Sequence, residues 1–333
     1  MPQNDEDEQK YHSDFYFFFY TPMIDYSKIQ EIVQDIFDIK IQGATKIAKS
    51  AFQIVAEELW RQEFDTRDEV KTFVKEAFTM LRNARDTEPL MFNGIRYVFS
   101  KIDECTMEDK EAFQNFAKKT CEEFMTMIED TQKKAIEMGK DILPDNAIVF
   151  NHCHSTSAIK TIIANRDNGK SVKVFNTETR PRCQGRLTST DFVNAGIDDT
   201  MVPDSSAAYI LSKFNDFGIK VDAVILGCDC IKMDGDVFNK TGSYWICSAA
   251  FHNDVPIYIA GTFLKTDTEG VVKIEMRSAD EVWEDRPEGL KVLNPAFSRI
   301  PAIYITGIIT EFWVIKPKDY KEELKKHYPW MLD

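Results

Sequence analysis

The residues best able to do chemistry lie in one short stretch, Ile148 to Ser157, which reads IVFNHCHSTS. Ile148 to Asn151 form a run that predicts a short buried strand, and His152, Cys153, His154 and Ser155 follow where a helix begins. A thiol, two imidazoles and a hydroxyl could supply a nucleophile, a base or metal ligands. Ligands of open α/β sheets bind at the carboxyl ends of strands, so the same position on the other strands matters next. There the chain offers Glu178, Arg180 and Arg182 after one run, then Asp204 and Ser205, then Cys228, Asp229 and Cys230, then Lys265. Asn239-Lys240-Thr241-Gly242-Ser243 and Gly43-Ala44-Thr45 each open a helical pattern, where backbone N–H groups suit an anion. In a chain of net charge −14, cations converging on one crevice point to a phosphorylated ligand.

Each feature also has an ordinary reading. A buried cysteine often acts only as a small hydrophobe. His152 and His154 flank Cys153 on opposite sides, so at most one should face its cavity. Lys240 and Lys265 could be surface lysines, and Arg180 and Arg182 could pair with Glu178 or Asp204. Zinc is the sharper rival, because His152-Cys153-His154 and Cys228-Asp229-Cys230 offer enough nitrogen and sulfur, though not at the usual zinc-ligand spacing.

The elements that must position these residues fall into two patterns. Three amphipathic helices are predicted, over Tyr26 to Asp38, from about Thr45 (a candidate cap) through Leu59, and after a capping box at Thr66 and Glu69. Asn83 to Asn93 reads as a polar break, and a long helix from about Glu108 to Met138 ends at Gly139. After Pro144, short apolar runs alternate with helical ones. Strands are expected at Ala147 to Asn151, Val172 to Asn176, Thr200 to Pro203, Ala223 to Gly227, Ile257 to Ala260 and Phe312 to Ile315. Helices are expected at Ser157 to Asn165, Ser189 to Ala195, Ala207 to Phe214 and Gly242 to His252. The fold class is therefore α/β: an acidic tail without ordered structure over residues 1–22, a helical domain over 23–142, and a Rossmann-like domain with a mainly parallel sheet over 143–333. At 333 residues, two domains fit a limit of roughly 250–300 residues for one core.

Several classes are disfavoured. The first strand-to-helix turn lacks the spaced glycines of a dinucleotide fingerprint. Excess acidity argues against nucleic acid, and no apolar run reaches the ~20 residues of a membrane helix. Seven scattered cysteines with no secretion signal predict free thiols and a cytoplasmic location.

On IQGAT, NARDTEP, NHCHS, ETRPRCQGRLT, VPDSSAAY, GCDCI with MDGDVFNKTGS, and NPAFSRIPAIYITGIITE, the chain resembles one family over about residues 25–317. That family unites ribose-1,5-bisphosphate isomerases, methylthioribose-1-phosphate isomerases and regulatory subunits of translation initiation factor 2B. The resemblance implies conversion of ribose 1,5-bisphosphate to ribulose 1,5-bisphosphate, with Cys153 as base and Asp229 as acid. It further implies substrate contacts from Gly43, Ala44, Thr45, Arg85, Ser155, Thr156, Ser157, Asn239, Lys240 and Lys265, and neither metal nor cofactor. A homo-oligomer (dimer or trimer of dimers) and a nucleotide activator such as AMP also belong to that expectation. The alternatives are a methylthioribose-1-phosphate isomerase and a non-catalytic factor 2B-like subunit that binds a sugar phosphate or nucleotide. Asp86 stands where the family commonly has proline, and Gln42 where arginine is frequent. The proposed chemistry needs Asp229 protonated and Cys153 as thiolate, the latter favoured by Lys240, Arg85 or a nearby imidazolium.

Overall fold

The computed structural model describes residues 24–85 and 87–332, so the acidic segment 1–22 and Asp86 lie outside the described residues. Its first part is helical: α1 (Ser27–Phe37), α2 (Ala44–Arg61), α3 (Arg67–Arg82), α4 (Pro89–Glu104) and α5 (Lys110–Gly139). Half of the capping box forms as expected, with Glu69 N–H donating to Thr66 Oγ1 at 3.2 Å; the Glu69 carboxylate reaches back one residue further and accepts from Asp65 N–H at 2.8 Å. Thr45, by contrast, lies inside the first turn of α2, and Gly43 takes the cap at a φ of 83° that favours glycine.

The expected break at Asn83 to Asn93 is wrong, because α4 starts within it. Pro89 occupies a first-turn position where a missing N–H costs nothing, and Leu90, Met91, Ile95, Val98 and Ile102 form its buried face. Gly94 lies mid-helix because Phe52 and Phe124 leave no room: an added Cβ would sit 2.4 Å and 2.2 Å from their ring carbons. Overpacking of this kind costs about 1–3 kcal/mol, against ~1 kcal/mol gained in helix propensity. Gly94→Ala is therefore expected to lower the melting temperature, and a rise would contradict this packing account. Gly139 ends α5 as anticipated, but for a packing reason, since a Cβ there would meet Thr161 at 2.6 Å.

The second part contains β1 (Ala147–Asn151), α6 (Thr156–Asp167), β2 (Val172–Thr177), α7 (Gly185–Asn194), β3 (Asp198–Val202), α8 (Ala207–Leu211), β4 (Ala223–Gly227), β5 (Cys230–Lys232), β6 (Val237–Lys240), α9 (Ser243–His252), β7 (Ile257–Ala260), β8 (Thr266–Asp267), β9 (Phe297–Ile300), β10 (Gly307–Ile309), β11 (Val314–Ile315) and α10 (Tyr320–His327). The main sheet has the order β11-β10-β7-β4-β1-β2-β3 and is parallel except at β11. Two expectations needed correction here. Phe312 to Ile315 shrinks to the short antiparallel β11, while the last parallel strand is β10, from the ITGIIT run. A second sheet, β8-β5-β6-β9, was not foreseen, because its strands are too short to show a period.

Strand β4 explains why its sequence is an unbroken apolar run. Val224 and Leu226 pack into the core shared with α2, α4 and α5, whereas Ala223 and Ile225 pack into a second core with α6 and α7. Strand order reverses direction between β1 and β4, which pair in parallel at Val149 with Ala223 and Phe150 with Val224. Such a switch point opens a crevice at the carboxyl ends of the two strands. Cys153 and Asp229 follow those ends directly.

Candidate active site

Cys153 sits at a φ of 68°, a left-handed conformation that costs a non-glycine residue about 1–3 kcal/mol and concentrates at functional sites. It is fixed from both sides: its N–H donates to Thr179 Oγ1 at 3.0 Å, and its carbonyl accepts from Thr188 Oγ1 at 2.9 Å. Its thiol donates to Gln184 Oε1 at 3.7 Å. Asp229 is held after β4 by its N–H, which donates to the Phe238 carbonyl at 2.9 Å. The β5–β6 hairpin thus places Asp229, and Asn239 and Lys240 at the end of β6 come back beside it.

Two helix starts, those of α2 and α6, face the crevice, and a third, that of α9, lies behind its wall. Ser155 caps α6 and can stand where it does because Gly227 has no side chain; a Cβ there would lie 2.0 Å from Ser155 Oγ. Gly242, at φ 101°, turns the chain into α9 beneath the His152 ring. His152 is buried and its pKa is lowered by that burial, so its ring is neutral at neutral pH. Nε2–H donates to the Thr241 carbonyl at 2.8 Å, and Nδ1 then accepts from Thr177 Oγ1 at 2.5 Å. The ring ties β1 to the start of α9. The starts of α2, α6 and α9 carry no acidic residue in their first turns, whereas α3 carries Asp68 and Glu69. The uncapped N–H groups of α2, and those of α6 that Ser155 Oγ does not reach, are left for an external anion, whereas Tyr244 N–H of α9 already donates to Ser298 Oγ at 3.1 Å.

One cavity of about 420 Å³ brings together the catalytic and substrate-contact residues that the resemblance implies, Cys153 and Asp229, Gly43 to Thr45, Arg85, Ser155 to Ser157, Asn239, Lys240 and Lys265, whereas Glu178, Arg180, Asp204, Ser205 and Cys230, also expected at the strand ends, do not line it. Seven cations line it (Lys40, Lys46, Arg85, Arg182, Lys240, Lys265 and Arg277) against the carboxylates Glu88 and Asp229. Lys265 is buried, donates to the Cys228 carbonyl at 2.7 Å, and is held from the helical part by the Asn93 amide, which donates to the carbonyls of Leu264 and Thr266. Lys240 lies over the Phe297 ring, 5.0 Å from its centroid. Neither of these contacts neutralises the ammonium.

Two electrostatic expectations change. Burial pushes the Cys153 thiol up to about 11, opposed by Lys240 and reinforced by the Asp229 charge, so the resting side chain is a thiol and not a thiolate. The other suggested aids do not supply a charge beside it. Arg85 binds Glu275 and lies 3.3 Å from Glu88, and His152 is neutral. Gln42 donates to the Ile39 carbonyl at 2.9 Å, and Lys40 and Lys46 supply cations to that end of the cavity. As for zinc, no group of three or more His, Cys, Asp or Glu side chains among the described residues is placed to hold a metal. All seven cysteines are unpaired.

Sequence reasoning passed over Glu88, Gln132, Gln184 and Arg277. Gln184 and Glu88 lie inside two of the quoted motifs, so a signal existed. Gln132, whose amide donates to Ser157 Oγ at 3.1 Å, comes from the exposed stripe of α5 and had none. Arg277 binds Glu275 at 2.6 Å and Glu281 at 2.7 Å from a long irregular segment, where no periodicity could place it.

Fold and site together define an α/β protein with a cation-lined crevice at the switch point of a mainly parallel sheet, closed on one side by a helical layer. The chain belongs to the Initiation factor 2 subunit family, which it matches over residues 40–317. It is 32% identical over 313 residues to the ribose 1,5-bisphosphate isomerase of Methanocaldococcus jannaschii, covering 91% of this chain and 96% of that protein. It is also 32% identical to the methylthioribose-1-phosphate isomerase of Carboxydothermus hydrogenoformans, covering 89% and 90%. Among solved structures, the translation initiation factor eIF-2B of Pyrococcus horikoshii OT3 shares the fold with a TM-score of 0.75 at 20% identity, over 88% of this chain and 99% of that one. No helix among the described residues is long and apolar enough to cross a membrane.

Proposed function

We propose that the protein is an aldose–ketose isomerase that converts ribose 1,5-bisphosphate to ribulose 1,5-bisphosphate. The observation that carries this reading is a thiol and a carboxylate on adjacent strand ends inside a cavity dominated by cations. Phosphate on C1 blocks simple opening to an aldehyde. An acid must protonate the ring oxygen while a base removes the C2 proton. Asp229 gives its proton to the ring oxygen as the C1–O bond breaks, and Cys153 takes the proton from C2 to leave an enol. Cys153 then returns that proton to C1, and Asp229 takes the proton from the C2 hydroxyl as the ketone forms. Protons balance, and both groups return to their starting states. Helix starts and lysines hold the phosphates and the charge that develops on the oxygens.

The productive state has one proton on Asp229 and none on Cys153. Because the Asp229 charge is itself one cause of the raised thiol, moving the Cys153 proton to Asp229 removes part of what opposed it. The substrate choice rests on charge. Arg85, Arg182 and Arg277 are shared with Glu275 and Glu281, and Lys40 with Asp35. Lys46, Lys240 and Lys265 remain against Asp229, an excess of two, and the starts of α2 and α6 add about +0.5 each. That exceeds one phosphate at about −1.5 to −2 and approaches two, which favours a bisphosphate over the methylthio monophosphate.

Incubating the purified protein with ribose 1,5-bisphosphate and following phosphorus NMR tests the reading. Appearance of ribulose 1,5-bisphosphate is the expected result. Turnover of methylthioribose 1-phosphate alone would favour the monophosphate reading, and turnover of neither would favour a binding subunit.

A further inference from the structure

Glu88 is the one carboxylate of the cavity that the proposed mechanism leaves without a task. It is 2% exposed, lies immediately before α4, and lines the same cavity as Cys153 and Asp229. Its Oε1 is 3.3 Å from Arg85 Nη1, but that guanidinium is committed to Glu275 through Nη2. Among the described residues, Glu88 Oε2 and Arg85 Nε have no hydrogen-bond partner. A buried polar atom left unpaired costs about 1–3 kcal/mol, so two orphans in one cavity mark a place where a ligand atom belongs.

Resting on the sugar-phosphate reading, we propose that Glu88 is a substrate-binding residue that stays protonated and donates its proton to an oxygen of the bound sugar phosphate. An ionised carboxylate here would repel the phosphates that the lysines attract, whereas a neutral carboxyl offers a donor to the same oxygens. Its surroundings support the neutral form: burial raises its pKa to about 8, Asp229 and Glu275 push the same way, and Arg85 and Lys265 only partly oppose them. Glu88 thus keeps its proton below that value and loses it above. A bound phosphate raises the value further, so binding above pH 8 must take up a proton. Apparent affinity then falls as pH rises, by up to about tenfold per unit.

The test is the Michaelis constant for ribose 1,5-bisphosphate between about pH 7 and 9, a window that lies above the second phosphate pKa near 6, so the phosphate charge changes little across it. In the wild type KM should be flat to about pH 8 and then climb. Glu88→Gln cannot ionise; it should raise KM at pH 7 by about threefold, as a weaker donor, and abolish the climb. Glu88→Ala, which removes the donor, should raise KM by about tenfold at pH 7. A companion calorimetric titration with inorganic phosphate, in two buffers of different ionisation enthalpy at pH 8.5, should show proton uptake in the wild type and none in Glu88→Gln. A KM that climbs equally in wild type and Glu88→Gln, or phosphate binding without proton uptake, would overturn the inference. If the sugar is not turned over but phosphate binds with Glu88-dependent proton uptake, the substrate reading fails and the role of Glu88 stands. Absence of any phosphate binding overturns both.

Discussion

Replacing Cys153 with alanine is expected to lower turnover of ribose 1,5-bisphosphate on the order of a hundredfold to ten-thousandfold, the usual range for losing a positioned base. Folding should survive, because the residue is held by its backbone through Thr179 and Thr188, and alanine meets the same positive φ as cysteine. Cys153→Ser should be equally inactive even though it keeps a hydrogen bond within reach of Gln184, since a hydroxyl ionises far less readily than a thiol. Phosphorus NMR gives the rate, and a melting curve matching the wild type separates chemistry from folding. Alanine activity within tenfold of wild type would remove Cys153 from the mechanism.

The same protein offers a split between kcat and KM. Because the productive state is a proton isomer of the resting one, kcat should stay level over about pH 7 to 9 while KM climbs through Glu88. A kcat that rose tenfold per unit would mean that solvent, and not Asp229, takes the thiol proton.

How far the sequence led depends on which residues carried a pattern. The apolar runs before His152 and Cys228 were long enough to mark β1 and β4, and alternation of strands and helices implied a parallel sheet, but the adjacency of β1 and β4 at the switch point is a matter of strand order that alternation leaves open. The glycines showed where and not why: Gly139 ends α5 as its type suggested, yet it is also a space required by Thr161, and Gly94 sits inside α4 as a space required by Phe52 and Phe124. The β5–β6 hairpin was illegible because a three-residue strand has no measurable period, and its pairing with β9 joins residues over 50 positions apart. The cations of the crevice were legible as residue types, but their partners were not. Arg85 looked available for phosphate, and only the irregular segment after β8 brings Glu275 against it. Protonation states failed for the same reason, since the thiol of Cys153 is set by burial from elements distant in the chain.

Asp229→Asn separates the two halves of the proposed pair, because it should move activity and thiol reactivity in opposite directions. Asparagine keeps the shape but cannot donate a proton to the ring oxygen, so turnover should fall by about a hundredfold to ten-thousandfold. The same change removes a negative charge that raises the Cys153 thiol, so its pKa should fall and more thiolate should be present at a given pH. Alkylation of Cys153 by iodoacetamide, followed by mass spectrometry to distinguish it from the partly exposed Cys105 and Cys183, should therefore be faster in the variant. Lys240→Met gives the opposite sign, because its ammonium lowers the same thiol and its loss should slow alkylation. If Asp229→Asn loses turnover while alkylation stays unchanged or slows, the carboxylate acts on substrate without being coupled to the thiol, and the shared-proton account fails. Faster alkylation in an inactive variant has no ready explanation in general unfolding if Lys240→Met slows the same reaction, since a loosened crevice would expose Cys153 in both.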